Sequence, residues 1–152
     1  MTELHCWLES IKSWYQPNHS HDFSDLVSVI QQTPQSMMDE LDTETGSEAL
    51  AYWLDACFRL TKYYQHQGYN EQAFGYIQLS YAKLQAIVCE QSYSAELKRW
   101  SLKEARSHHC RYSGILPTSV RSTMAARKHT ADKLACGVYG VTAAFELKLR
   151  CK

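Results

Sequence analysis

Two short stretches carry side chains able to bind a metal. His19, His21 and Asp22 lie in "HSHD", and His108, His109 and Cys110 lie in "SHHC". Imidazole and thiolate suit zinc, and distant Cys136 offers the second group a fourth ligand. The first group has no matching cluster elsewhere. The second places its ligands on adjacent residues, an awkward geometry on a helix. The simpler readings are a polar loop for "HSHD" and, for "SHHC", histidines at a helix C-terminus, where the helix dipole favours positive charge. The acids Asp39, Glu40, Asp42, Glu44 and Glu48 read as a solvated surface. No GxSxG, no cysteine signature, no phosphate-cradling glycine loop and no HExxH occurs. We therefore expect no enzyme, no metal and no cofactor.

Basic residues form a clearer pattern. Arg99, Lys103 and Arg106 recur at i, i+4 and i+7, the spacing of one helix face, with Lys98 and Arg111 beside them. Arg121, Arg127, Lys128 and Lys133 continue the charge. Phosphate contacts need such clustering. No helix-turn-helix and no aromatic RNA platform accompanies it, so a solvated charged face is the other reading. The whole chain is neutral, yet residues 1–96 hold 4 Lys/Arg against 13 Asp/Glu, a net −9. Residues 97–152 hold 12 against 3, a net +9. Either an acidic body docks its own basic half, or a basic arm meets nucleic acid or an acidic partner.

These groups need elements to position them. At 152 residues the chain suits one domain with a real core. The longest apolar-leaning run, 136–145, falls short of the roughly 20 residues of a membrane span. An acidic N-terminus argues against an export signal. The six cysteines form no CxxC pair, and Cys57 and Cys89 sit in apolar helical patterns as small hydrophobes. The expectation is a reduced, cytoplasmic protein with no membrane contact.

Helical spacing is the dominant pattern. Leu4, Trp7, Leu8, Ile11, Trp14 and Tyr15 make an amphipathic stripe that Pro17 closes. Phe23, Leu26, Val27 and Ile30 make a second. Thr33 then reads as an N-cap and Pro34 as the first residue of a short helix reaching Leu41. Residues 42–48 read as a loop and the start of a new helix, on which Leu50, Trp53, Leu54, Cys57, Phe58, Leu60 and Tyr64 give a broad apolar face up to Gly68. Asn70 is a candidate cap for a helix carrying Ala73, Ile77, Tyr81, Leu84 and Val88. Ser94 starts another through about His109, with Leu97 and Trp100 predicted inward. Residues 113–118 read as a turn segment, 119–136 as a basic helix, and 141–150 as either helix or strand.

The stretch from Leu54 to Gln85 and slightly beyond, about 54–87, resembles a tetratricopeptide repeat, a helix–turn–helix unit. Leu60 and Tyr64 take inward positions of the first helix, Gly68 the turn, Ala73 and Ile77 the packing positions of the second, and Ser80 a small-residue site. Cys57 stands where the family usually has tryptophan, Thr61 replaces a small residue, and no proline closes the unit. An ordinary antiparallel hairpin in a bundle is the alternative. Tyr63, Tyr69 and Tyr76 lie off the main stripes, either exposed for partner contacts or packed against the N-terminal helix.

The expectation is an all-α fold, a helical bundle or short tetratricopeptide-like array. It divides into a helical domain at 1–112 and a less regular basic segment at 113–152. The expected function is a non-enzymatic cytoplasmic adaptor or regulator binding a protein partner through a helical surface that includes Tyr63, Tyr69 and Tyr76. The alternative is a nucleic-acid-associated regulator using Arg99, Lys103 and Arg106. A homo-oligomer is compatible with either.

Overall fold

A computed structural model describes residues 2–112 as α-helices and short connections, with no strand among the described residues. The expectations for 113–152 lie outside the described residues. The helices are α1 (Glu3–Trp14), α2 (Phe23–Gln31), α3 (Ser36–Asp39), α4 (Glu44–His66), α5 (Asn70–Cys89) and α6 (Ala95–Tyr112). The chain divides into two compact units at Tyr69, with α1–α4 in the first and α5–α6 in the second.

In the first unit, α4 packs on α1, α2 and α3. Of the α1 stripe, Leu4, Trp7, Leu8, Ile11 and Trp14 are buried, whereas Tyr15 caps the C-terminus of the helix and is half-buried. Thr2 caps its N-terminus by accepting the His5 amide, and Glu3 and Lys12 complement the helix dipole at opposite ends. Two buried indoles then tie α1 to α2. Trp7 Nε1 donates to the Val29 carbonyl and Trp14 Nε1 to the Asp22 carbonyl, each at 2.8 Å. A buried indole N–H without an acceptor would be costly, so these bonds set where α2 lies as well as holding it.

The short helix differs from expectation. Thr33 does not cap it. Its hydroxyl donates instead to the Ile30 carbonyl at 2.7 Å, closing α2. The helix begins two residues after Pro34, at Ser36, with no side-chain cap bond at Gln35. A threonine oxygen can serve the helix behind it as readily as the one ahead, and here the longer α2 has the open carbonyl.

Helix α4 starts at Glu44, with Thr43 accepting the Gly46 amide at 3.0 Å. Its buried face comprises Ala49, Leu50, Trp53, Leu54, Ala56, Cys57, Leu60 and Thr61. Thr61 tolerates burial because its hydroxyl donates to the Cys57 carbonyl. The helix ends in a Schellman motif. Gly68 adopts φ 80, its amide donates to Gln65 and the Tyr69 amide donates to Tyr64.

In the second unit, α5 and α6 pack as a hairpin. Ala73, Ile77, Ser80, Tyr81, Leu84 and Ile87 are buried on α5, while Val88 is only half-buried. Ser94 accepts the Leu97 amide and so caps α6. The buried stripe of α6 is Ser101, Ala105, His108 and Tyr112, at i, i+4, i+7 and i+11. Small residues at Ala73, Ser80, Ser101 and Ala105 permit close approach, and the buried Tyr81 hydroxyl donates to the Ala105 carbonyl at 2.8 Å. This stripe corrects the inward assignment of Leu97 and Trp100. Leu97 is half-buried and Trp100 is turned out.

The repeat-like stretch thus spans the boundary between the units. Leu60, Ala73, Ile77 and Ser80 are buried and Gly68 makes the turn, while α4 contributes to the core of one unit and α5 to that of the other.

Candidate partner-binding surfaces

The first unit carries a continuous row of aromatic rings. Tyr52, Asp55, Arg59 and Tyr63 recur along α4 at three- and four-residue steps, on a flank of its buried face. Tyr15, the residue that closes α1, meets this flank. Its ring lies edge-on to Tyr52 with centroids 5.3 Å apart, and its hydroxyl donates to Asp55 Oδ2 at 2.7 Å. Arg59 Nε donates to the same carboxylate oxygen at 2.7 Å, with its guanidinium 5.0 Å from the Tyr15 ring centre. Burial, followed by the bond to Asp55, raises the Tyr15 phenol above its ordinary range. The same carboxylate raises Arg59, so both side chains stay protonated and held.

The row continues from Tyr15 to Trp14 at 5.2 Å, from Trp14 to Phe23 at 5.6 Å, and from Phe23 to Tyr63 at 4.3 Å. That last pair is stacked, 11° from parallel. Tyr63 meets Tyr64 edge-on at 5.3 Å, and Tyr64 meets Tyr69 at 6.4 Å. Trp14 is buried and anchors the row from behind. Tyr15, Phe23, Tyr52, Tyr63 and Tyr64 are half-buried, and Tyr69 is 57% exposed. From Tyr52 to Tyr63 alone the ridge runs about 16 Å along α4. Offset and edge-to-face ring pairs of this kind contribute about 0.5–1.5 kcal/mol each beyond area burial. The ridge is therefore held in place before any partner arrives.

Of the three tyrosines singled out from sequence, the structure links Tyr63 and Tyr69 through Tyr64. Tyr63 packs on Phe23 of α2. Tyr76 lies on α5 in the second unit, half-buried. The sequence placed Tyr15 and Phe23 only in apolar helical stripes, and Tyr52 was not singled out. The repeat of Tyr52 and Tyr63 at eleven residues, three helical turns, was the available signal.

The "HSHD" residues serve the connection between α1 and α2. His21 has a positive φ of 52, its amide donates to His19 Nδ1 at 3.2 Å, and its ring lies edge-on to Trp14 at 5.2 Å. Asp22 caps α2 by accepting the Ser24 amide at 2.9 Å, and this bond lowers the carboxyl pKa. Among the described residues, no three His, Cys, Asp or Glu side chains gather to hold a metal. His108 is buried, and the His109 and Cys110 side chains and Cys136 lie outside the described residues.

The second surface is the outer face of α6. Arg99, Lys103 and Arg106 are all exposed and lie opposite the buried stripe, with half-buried Lys98 beside them. Arg99 Nε donates to the Ala95 carbonyl at 3.3 Å. Trp100 is exposed next to them. The charge split at 96/97 falls inside the second unit, and across the unit boundary the asymmetry persists in smaller measure. Residues 1–69 carry 3 Lys/Arg and 10 Asp/Glu, a net −7, and residues 70–152 carry 13 and 6, a net +7.

No helix among the described residues is long and apolar enough to cross a membrane. Compared with known proteins, the chain matches no family model, no curated protein and no solved structure.

Proposed function

We propose that this chain is a non-enzymatic, cytoplasmic adaptor or regulator that binds a protein partner through the aromatic ridge of its first unit. The observation that carries the reading is the unbroken ring-to-ring row from Tyr52 to Tyr69, buried at its Trp14 anchor and open at Tyr69. Tyrosine and tryptophan offer large amphipathic contact area with few rotamers to freeze, and they dominate binding energy at protein interfaces. Asp55 holds Tyr15 and Arg59 in one arrangement, which reduces the ordering cost of binding further. The net −7 of this unit favours a partner with a basic contact surface. The tetratricopeptide likeness at 54–87 is a resemblance of residue types that fits a protein-binding role.

The test is affinity capture with the full chain and with a Tyr52→Ser, Tyr69→Ser double variant. Both tyrosines expose part of their rings, so the variant should fold, and near-ultraviolet circular dichroism checks that it does. A genuine partner should be lost or weakened about tenfold or more, the scale of two interface aromatics. Identical capture by a folded double variant would refute the ridge as the contact.

A further inference from the structure

The outer face of α6 combines cations with an aromatic side chain in a way the protein-binding reading does not use. Trp100 is 36% exposed, whereas Trp7, Trp14 and Trp53 are 6%, 3% and 2% exposed. Trp100 thus differs from the other three tryptophans in offering part of its indole to a partner. It stands three residues before Lys103, about 60° round the helix, and directly follows Arg99. Arg99, Lys103 and Arg106 are exposed on the adjoining face, with Lys98 half-buried beside them. Glu96 and Glu104 are the acids of the same helix, so its described side chains retain an excess of cations. The segment following α6, residues 113–152, adds 7 Lys/Arg against 2 Asp/Glu.

We propose that the exposed face of α6 binds single-stranded nucleic acid, with Arg99, Lys103 and Arg106 contacting phosphates and Trp100 stacking on a base. Phosphate contacts need clustered cations, and a strand without a complement leaves its base faces free for an aromatic platform. A duplex offers phosphates but keeps its bases stacked, so the indole would gain nothing there. The proposal concerns a surface separate from the aromatic ridge, and either can fail without the other.

With the other three tryptophans buried, the part of the intrinsic fluorescence change that disappears in Trp100→Ala reports on Trp100. The full chain is titrated at about 50 mM salt with an oligothymidylate of about twenty nucleotides, with a duplex of equal length, and with anionic phosphatidylserine vesicles. The expected result is quenching by the single strand, with much weaker binding of the duplex. Trp100→Ala, followed by anisotropy of a labelled strand, should lose at least about fivefold in affinity. An Arg99→Gln, Lys103→Gln, Arg106→Gln triple variant should retain residual quenching, and its salt slope should fall by about 2, from about 0.7 per phosphate contact. No quenching by the single strand, equal affinity for duplex, or affinity indifferent to Trp100→Ala would each overturn the proposal. Quenching by vesicles alone would overturn it in favour of a membrane-surface helix.

Discussion

Gly46 offers the sharpest test of how the first unit is packed. It lies in the first turn of α4 and is buried, with its amide on the Thr43 hydroxyl. A Cβ added there would collide with the Glu40 carbonyl group and the Leu41 amide nitrogen, all backbone atoms. Backbone cannot rotate away as a flexible side chain would, so the turn after α3 must shift. Overpacking costs about 1–3 kcal/mol, and a carbonyl collision belongs at the upper end. Replacing a helical glycine by alanine returns up to about 1 kcal/mol, less in a first turn. The net expectation for Gly46→Ala is a loss of about 1–2 kcal/mol, or roughly 5–15 °C in the melting midpoint of a unit this size. Gly75, within α5, supplies the control. Nothing lies within 4 Å of its added Cβ, so Gly75→Ala should stabilise its unit by about 0.5–1 kcal/mol. In a Trp100→Phe background, urea unfolding followed by fluorescence of the buried Trp7, Trp14 and Trp53 reads the first unit, and far-ultraviolet circular dichroism reads both. Equal stabilisation by the two substitutions would show that α4 does not abut Glu40, and the packing argument would fall.

Ala73→Leu should destabilise the second unit by about 1–3 kcal/mol, because Ala73 is fully buried on α5; an unchanged melting midpoint would show that no helix packs there. Asp22→Asn tests the α2 cap through pH. The Ser24 amide lowers the Asp22 pKa below its ordinary 3.8, so its charge stabilises the fold above that value and stops doing so as pH falls through the folded pKa. Asparagine caps without a charge, so the stability gap between wild type and variant should narrow as pH falls below the ordinary carboxyl pKa and through the lower folded one. A gap that stays constant across an acid titration of urea midpoints would mean that the cap carries no charge-dependent stability.

The helices were legible in the sequence because burial on a helix leaves a periodic trace. On α1 the stripe from Leu4 to Trp14 is buried and only Tyr15 at its end is half-exposed, and on α4 Leu50, Trp53, Leu54, Cys57 and Leu60 are buried with Phe58 half-buried. Boundaries were legible where a single chemistry fitted, as at Gly68, whose positive φ an L side chain resists. They were not legible at Thr33, where the hydroxyl had two helices to serve. Helix α6 misled for a different reason. Its buried face is built from Ser101, Ala105, His108 and Tyr112, less apolar than the Leu97 and Trp100 that hydrophobicity favours. Small Ala73 and Ser80 on α5 and Ser101 and Ala105 on α6 are buried and let the helices approach, and the bulk buried on α6 comes from His108 and Tyr112 instead of Leu97 and Trp100.

The candidate sites were legible in part for the same reason. Arg99, Lys103 and Arg106 share a face because the helix period alone places them there, and charge keeps them out of the core. The aromatic ridge could not be read this way, since it joins Tyr15 at the end of α1, Phe23 at the start of α2, and Tyr52 and Tyr63 on α4. Tertiary structure brings those residues together. What directs it is the Trp14 indole bond to the Asp22 carbonyl, which fixes the start of α2 beside the end of α1 and so lays Phe23 against Tyr63. Trp14→Phe keeps an aromatic ring but removes the donor. It should therefore loosen the Phe23–Tyr63 stack while leaving the Tyr15–Asp55–Arg59 cluster in place. The near-ultraviolet dichroism of the tyrosines would fall without a matching loss of helix. A ridge signal unchanged in that variant would mean that the α2 contacts alone position the ridge.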